Sequence, residues 1–148
     1  MIRPATDPDA ETVTAIAQAS FEHYIPRIGG PPVPMLLDYR AAIAGGKVWV
    51  ATGADEITGF VLLEDEPDSL LLDVLAVAPT AQGRGIGSAL LDFVEAEARA
   101  RGYEQVTLCT NAAMTENLAY YPRRGYVETH RATVNDRHRV FFRKELMS

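Results

Sequence analysis

With 148 residues, 47% of them apolar and 23% charged, the chain has the size and composition of one soluble domain, which we expect to span residues 1–148. Its net charge of −6 excludes attraction to nucleic acid or to an anionic membrane through a general basic field, so neither is an expected partner. The single cysteine, Cys109, excludes an intrachain disulfide, and no apolar run approaches the ~18 residues of a membrane span, so we expect a cytoplasmic protein.

The N-terminus is predicted to form a short strand followed by a helix. The strand is expected at Ile2–Arg3. The helix is expected to begin after Asp7, which is predicted to be its N-cap, with Pro8 in the first turn. Apolar residues at helical spacing continue the helix as far as Phe21.

A proline-rich loop and a second helix are predicted next. Four of the nine prolines fall between Pro26 and Pro34, beside two glycines, which indicates a stiffened loop. The segment Met35–Ala44 is predicted to be helical because the pair Gly45-Gly46 follows it directly.

Three strand-like runs follow this helix, at Lys47–Thr52, Ile57–Leu63 and Leu70–Val77. The short turns between them predict antiparallel hairpins. The last of these runs, the fourth strand of the chain, is apolar on both faces, as is typical of a central strand covered by helices.

A glycine-rich stretch, QGRGIGS at positions 82–88, separates that strand from a helix predicted from Ile86 to Arg101. Backbone N–H groups at a helix N-terminus lack helical partners and carry the positive end of the dipole, and missing side chains let an anion come close. We therefore predict a phosphate-binding turn, in which Gln82 orients the loop and Arg84 adds positive charge at its rim. A glycine-rich turn without a ligand is the alternative.

Two common phosphate-binding motifs do not fit this stretch. A Walker loop is excluded because the sequence contains no Gly-Lys-Ser or Gly-Lys-Thr. The dinucleotide fingerprint fits badly because its third glycine position falls on Ser88 or Leu90. A nucleotide-binding domain therefore stays only a third-ranked interpretation.

The C-terminal part is predicted to complete a mixed sheet of about seven strands with helices on both faces, an α/β fold. A fifth strand at Gln105–Thr110 is expected to run parallel to the fourth across the intervening helix. A short helix is predicted around Met114–Tyr121, and the strands Tyr126–Thr133 and His138–Glu145 are predicted to form a closing hairpin.

Two segments resemble motifs of the GNAT acyltransferase superfamily. The first, AVAPTAQGRGIGSALL, resembles the central motif of a strand, a glycine-rich turn and a helix. The second, ENLAYYPRRGY, resembles the motif in which an Asn and a Tyr precede a Gly-aromatic pair. The order of predicted elements agrees with this family over essentially the whole chain. The resemblance implies a mostly antiparallel sheet that is splayed between the fourth and fifth strands, and an N-acetyltransferase that uses acetyl-CoA.

The resemblance also implies where the coenzyme binds. The amides of the glycine-rich turn would hold the pyrophosphate, and the pantetheine arm would lie between the splayed strands. Main-chain groups of Leu75 and Val77 would pair with that arm, and the amide near Leu75 would stabilise the oxyanion. The implied coenzyme-binding residues are Leu75, Ala76, Val77, Gln82, Gly83, Arg84, Gly85, Ile86, Gly87, Ser88, Asn117 and Tyr121.

The implied reaction is direct attack of a primary amine on the thioester in a ternary complex. Tyr121 matches the family's proton donor, and a phenol of pKa near 10 is protonated at neutral pH. Pro122 departs from the pattern and is expected to kink or end the helix, which makes Tyr120 the alternative donor.

The expected base is Asp73, which interrupts an otherwise apolar strand and therefore has to be paired, hydrated or functional. It matches the position at which many relatives carry a glutamate base, and a structural carboxylate is the alternative. Cys109 stands where other relatives carry a glutamate on the fifth strand, and we interpret it as a small buried strand residue. The three histidines show no metal-ligand spacing, so no metal is expected.

Acceptor recognition is expected from the first two helices, the proline-rich loop and the final hairpin. Tyr24, Pro34 and Met35 are the predicted substrate-binding residues, with simple loop packing as the alternative. The C-terminal third is basic, and we interpret its arginines as part of a solvated face. The alternative is that some of them contact the 3′-phosphate of coenzyme A or an acidic substrate. Those basic residues are Arg123, Arg124, Arg131, Arg137, Arg139 and Arg143.

The resemblance leaves the acceptor and the assembly open. A polyamine, an aminoglycoside, an amino acid and a protein N-terminus are all compatible acceptors, and a homodimer is compatible because dimers are common on this fold. The alternative function is a non-catalytic acyl-CoA-binding regulatory or interaction module, which the proline after Tyr121 and the missing glutamate at Cys109 favour.

Overall fold

A seven-stranded sheet organises the chain in a computed structural model, which describes residues 1–146. The strand order across the sheet is first, second, third, fourth, fifth, seventh, sixth, and each neighbouring pair is antiparallel except the fourth and fifth. This confirms the predicted mixed, mostly antiparallel sheet. The strands are β1 (Ile2–Pro4), β2 (Val48–Gly53), β3 (Glu56–Asp65), β4 (Leu70–Val77), β5 (Gln105–Asn111), β6 (Val127–Val134) and β7 (Arg137–Glu145).

Helices cover both faces of the sheet, as the sequence predicts. One core cluster joins the first and third helices to β2, β3 and β4, with Val13, Tyr39 and Phe60 fully buried. A second cluster on the other face buries Leu90 and Val94 against β4, β5 and β7. Between residues 1 and 146, no helix is long and apolar enough to cross a membrane. The α-helices are α1 (Ala10–Phe21), α2 (Ile25–Ile28), α3 (Tyr39–Ala44), α4 (Ile86–Ala100) and α5 (Thr115–Arg123).

The start of the first helical segment differs from the prediction. A 3₁₀ turn at Asp7–Asp9 precedes α1, and Thr6 is the residue that caps this turn. The Asp9 carboxylate accepts a hydrogen bond from the backbone N–H of Thr6 at 2.8 Å and pairs with Arg3 at 2.8 Å. Arg3 and Thr6 together lower the pKa of Asp9 to about 2. The prediction that Asp7 is the N-cap is wrong, because Asp9 bonds back to Thr6 and draws Asp7 into the first turn.

The proline-rich segment contains more helical structure than the predicted loop, and the helix after it is shorter. It forms α2 and then a 3₁₀ turn at Val33–Met35. The Asp38 side chain caps α3 by accepting from the backbone N–H of Ala41 at 3.1 Å. The helix predicted at Met35–Ala44 is therefore wrong in its first part. The buried Tyr39 fixes the loop, because its hydroxyl donates to the carbonyl of Pro34.

A β-bulge at Asp73 changes which way β4 faces. Leu62 of β3 lies opposite Val74, and the next residue, Leu63, lies opposite Leu72, so Asp73 has no opposite residue on β3. As a result, Leu72 belongs to the core cluster under α4, whereas Val74 belongs to the cluster under α1.

The same bulge marks the point where β4 leaves β5. The two strands pair in parallel at Leu70–Leu72 with Val106–Leu108, and within the described residues the pairing goes no further. Both strands continue past this point, β4 to Val77 and β5 to Asn111, so a gap opens between them. The predicted splay between the fourth and fifth strands is confirmed.

Candidate active site

The gap between β4 and β5 opens into a cleft of about 420 Å³, which we call the β4–β5 cleft. Its walls are β4, β5, α5, the end of α1, the proline-rich loop and the start of β7. The structure thus brings together residues that the sequence placed in four separate segments. The predicted site residues among its lining are Tyr24, Pro34, Asp73, Leu75, Ala76, Val77, Gln82, Asn117 and Tyr121.

Main-chain groups of β4 point into this cleft. The N–H of Ala78 donates to the Thr58 carbonyl on β3 at 2.8 Å, so the alternating polar groups of Leu75 and Val77 point away from β3. The Val77 carbonyl already accepts from Ser20 Oγ at 2.8 Å and from Gln82 Nε2 at 3.3 Å, which uses both of its lone pairs. Leu75 therefore offers the main-chain groups best suited to meet a ligand.

The glycine-rich turn presents bare backbone at the start of α4. Gly83 and Gly85 have φ values of +82° and +78°, in the left-handed region that favours glycine. A Cβ atom at either position would meet nothing within 4 Å, so both glycines face open space. Gly85 is the N-cap residue, and the amides of Ile86 and the next residues are the unpaired donors of the helix N-terminus. The turn therefore has the geometry of an anion-binding site.

The other residues of the turn have packing or bonding roles. A Cβ at Gly87 would lie at ordinary van der Waals distance, 3.7 Å from Val77 and 3.9 Å from Leu75, so this glycine faces β4 and not open space. Arg84 donates to the Thr80 carbonyl at 3.2 Å at the exposed rim. The Ser88 hydroxyl lies 3.0 Å from that of Tyr120, which connects the first turn of α4 to α5.

Pro122 does not displace Tyr121 from the cleft. It lies in the last turn of α5, where it costs only the bond to the Leu118 carbonyl, and the helix ends one residue later. Tyr121 is 8% exposed, and its ring packs edge-on against Tyr126 with centroids 5.7 Å apart. Burial raises the pKa of Tyr121 well above its usual value near 10, so the phenol stays protonated at neutral pH.

Asp73 projects from the β4 bulge into the cleft, where its side chain is open to solvent. Desolvation by the surrounding protein raises the pKa of its carboxyl, and the charges of Glu64 and Glu66 add to this effect. Arg139 and Lys47 act in the opposite direction and lower that pKa. The raised pKa makes the carboxylate form of Asp73 a stronger base than that of an ordinary aspartate.

The opposite wall of the cleft is formed by β5 and α5. Cys109 lines it, and burial raises the pKa of its thiol, which favours the neutral form. The Asn117 amide donates to Thr110 Oγ1 at 3.1 Å and so fixes α5 to β5. In the described part of the chain, no group of three or more His, Cys, Asp or Glu side chains could hold a metal ion.

The acceptor side of the cleft differs from the predicted set. Tyr24 and Pro34 line the cleft, but Met35 packs against the core cluster under α1, and its carbonyl accepts from Gln18 at 2.8 Å. Two arginines that the sequence grouped with a solvated face, Arg137 and Arg139, line the cleft instead. Their spacing of two along a strand puts them on one face, but only the pairing of β7 with β5 shows which face that is.

Comparisons with known proteins agree with this geometry. A family model described as the acetyltransferase (GNAT) domain matches residues 44–128. The chain is 40% identical over 62 residues to N-alpha-acetyltransferase 80 of Mus musculus, covering 42% of the chain and 18% of that protein. It is 36% identical over 77 residues to the mycothiol acetyltransferase of Jonesia denitrificans, covering 51% of the chain and 24% of that protein. The chain thus spans about a fifth to a quarter of the length of these two relatives.

A solved structure extends the likeness to almost the whole fold. It is the PaiA N-acetyltransferase of Thermoplasma acidophilum in complex with coenzyme A, with a TM-score of 0.82 and 17% sequence identity. The superposition covers 98% of each chain. At this identity the likeness is evidence about the fold alone.

Proposed function

The chain belongs to the GNAT acetyltransferase family, and from that premise we propose that it is an N-acetyltransferase that moves an acetyl group from acetyl-CoA to a primary amine. The observation that carries the proposal is that the β4–β5 cleft and the glycine-rich turn adjoin each other. Gln82, the first residue of the glycine-rich stretch, lines the β4–β5 cleft together with Asp73 and Tyr121, and the bare backbone of Gly83 and Gly85 follows Gln82 directly at the start of α4. A long, bent thioester carrier with a diphosphate at one end matches this path.

The residues present fit the coenzyme. The open backbone at Gly83 and Gly85, with the unpaired amides at the start of α4, is suited to the diphosphate. The gap past Leu72 leaves one edge of β4 free for the amide groups of the pantetheine arm. The acetyl-thioester supplies the electrophilic carbonyl when bound, and the Leu75 N–H is the donor that faces the developing negative charge on its oxygen.

The proposed proton transfers use two side chains of the cleft. Asp73, directly or through water, accepts a proton from the incoming ammonium, so that the neutral nitrogen can attack the carbonyl carbon. The new N–C bond forms as the C–S bond breaks. Tyr121 donates its proton to the leaving sulfur, and the second proton lost by the nitrogen restores the phenol. Amide and free thiol are the products, and Asp73 releases one proton to solvent.

We expect acetyl-CoA to acetylate at least one primary amine in a panel of amino acids, peptides, polyamines and aminoglycosides. The measurement is thiol release from acetyl-CoA, with mass spectrometry of the amine, and the expected kcat for the best amine lies in the usual range of about 1–10³ s⁻¹. Thiol release and acetylated amine should appear in a one-to-one ratio. Binding of acetyl-CoA by calorimetry without product from any amine would contradict catalysis and favour the non-catalytic acyl-CoA-binding module.

We expect Asp73→Asn to lower kcat at saturating amine by about 10²-fold, the typical contribution of a positioned base. The wild-type kcat should fall on the acidic side as pH decreases through the pKa of Asp73. Because that pKa is raised, the fall should lie above the range near 4 that is ordinary for aspartate, and the variant should lack it. The measurement is the pH profile of kcat for both proteins.

Glu64→Gln is the matched control for that profile. Glu64 pairs with Lys47 at 3.0 Å at the surface and raises the pKa of Asp73 by like-charge repulsion. Its removal should move the acidic limb to lower pH and leave the plateau of kcat nearly unchanged. An acidic limb that persists in Asp73→Asn would assign it to another group.

A further inference from the structure

Two arginines of β7 line the β4–β5 cleft without a carboxylate partner. Arg137 and Arg139 are two residues apart on the strand, so both project from the same face. No ion pair in the described part of the chain, with nitrogen and oxygen within 4.0 Å, includes either side chain. In a chain with a net charge of −6, two cations in one cleft that have no carboxylate oxygen within 4.0 Å indicate an anionic ligand.

The guanidinium of Arg137 is fixed in position at the wall of the cleft. Its Nη2 donates to the Pro31 carbonyl at 3.1 Å, which ties the start of β7 to the proline-rich loop. Its Nε is buried and has no hydrogen-bond partner within residues 1–146. A buried donor on a charged group is costly to leave unpaired. The planar guanidinium is also well suited to bind a carboxylate or a phosphate.

Opposite charges in the cleft occupy opposite walls. The charge of Arg139 lowers the pKa of Asp73 on β4, and its charge and a side-chain hydrogen bond lower the pKa of Cys109 on β5. Glu116 also lines the cleft, but it is paired with Arg27 at 2.6 Å. The charges left for a ligand are therefore the carboxylate of Asp73 on β4 and the two guanidinium groups on β7.

We propose that the acceptor is a small amine that carries its own carboxylate or phosphate-type anion, which Arg137 and Arg139 bind while the nitrogen lies at Asp73. This inference rests on the proposed function, because it names the substrate class of the same cleft. The acceptor is small because one cleft of about 420 Å³ has to hold both the amine and the end of the pantetheine arm.

Matched pairs of amines that differ in the anion test this substrate class. β-Alanine is compared with β-alaninamide, and O-phosphoethanolamine with ethanolamine, by kcat/KM at saturating acetyl-CoA. We expect the anionic member of at least one pair to be preferred about tenfold or more. The pair with the larger ratio distinguishes a carboxylate from a phosphate-type anion. A preference for the uncharged member in both pairs overturns the inference.

Arg137→Gln and Arg139→Gln are expected to lower that preference about tenfold each. A general loss of folding or of coenzyme affinity affects both members of a pair equally, so the ratio reports the arginines alone. Arg131→Gln is the control, because Arg131 lies on β6 of the same hairpin, is exposed and pairs with Glu128 at 3.0 Å. An unchanged ratio in both cleft variants overturns the inference.

Binding without turnover separates this inference from the proposed function. Calorimetry with β-alanine or O-phosphoethanolamine is performed on the protein saturated with coenzyme A, which carries no acyl group to transfer. We expect one of these amines to bind, and Arg137→Gln to weaken that binding about tenfold or more. Absence of binding, or equal dissociation constants in wild type and variant, overturns the inference. Binding that depends on Arg137 without acetyl transfer supports the inference and contradicts only the proposed catalysis.

Discussion

Replacing Tyr121 with phenylalanine is expected to lower kcat about 10²- to 10³-fold and to leave the affinity for acetyl-CoA nearly unchanged. The change removes the proton donor for the leaving sulfur but keeps the ring, whose centroid lies 5.7 Å from that of Tyr126 and 6.0 Å from that of Phe142. The fold should therefore be retained. The measurements are kcat from thiol release at saturating substrates and the dissociation constant of acetyl-CoA by calorimetry.

The neighbouring tyrosine provides the control for this experiment. Tyr120→Phe removes a hydroxyl that lies 3.0 Å from Ser88 Oγ, so we expect kcat to change by no more than about threefold. A larger loss in Tyr120→Phe than in Tyr121→Phe would assign the proton transfer to Tyr120 instead. Because burial raises the pKa of Tyr121 above its usual value near 10, wild-type kcat should not decline between about pH 7 and pH 10 through loss of this proton.

The central elements could be predicted closely because they depend on local patterns. The fourth strand was predicted at Leu70–Val77 and is found there, because a run between turns that is apolar except for Asp73 leaves little choice. The long helix was predicted at Ile86–Arg101 and ends one residue earlier, since glycines bound it at both ends. In such segments the hydrophobic period and the turn residues favour the same structure.

The N-terminal third was less predictable because distant contacts determine its structure. The 3₁₀ turn at Val33–Met35 is fixed by Tyr39, which bonds to the Pro34 carbonyl, and by Gln18 of α1, which bonds to the Met35 carbonyl. The predicted helix begins at Met35, but α3 begins only at Tyr39, because the Asp38 side chain caps its N-terminus. Pro34 and Tyr39 are five residues apart, but Gln18 and Met35 are 17 residues apart, and proximity along the chain could not indicate that second contact.

The site was predictable in its motifs but not in its geometry. Leu72 and Val74 are both apolar, so the sequence could not show that a bulge between them directs them to opposite faces of the sheet. The position of Asp73 at this bulge, where β4 separates from β5, follows only from the strand pairing. The same is true of Arg137, whose role depends on its contact with the distant proline-rich loop.

The three glycines of QGRGIGS look equivalent in the sequence but have different surroundings in the structure. All three were predicted to expose backbone to a ligand. Gly83 and Gly85 have positive φ and open space beside them, whereas Gly87 faces the side chains of Val77 and Leu75. A substitution that tests the diphosphate site should therefore be placed at Gly85, the N-cap of α4, and not at Gly87.

Gly85→Val is expected to weaken coenzyme A binding at least about 10²-fold. The valine side chain would occupy the open space through which an anion reaches the unpaired amides at the start of α4. The left-handed backbone at φ +78° also resists a β-branched residue, at a cost of about 1–2 kcal/mol in stability or in displacement of the turn. The measurements are calorimetry with coenzyme A and the free energy of unfolding in urea.

Gly102→Val is the control that distinguishes the effect of backbone strain from the effect of blocking the diphosphate site. Gly102 follows the other end of α4, has φ +85° and likewise meets nothing within 4 Å of an added Cβ. It should lose a similar 1–2 kcal/mol of stability, by the same steric argument, yet bind coenzyme A with an affinity within about threefold of wild type. Equal affinity in Gly85→Val, Gly102→Val and wild type would show that the diphosphate does not bind at the start of α4, and the proposed acetyl transfer would lose its structural basis.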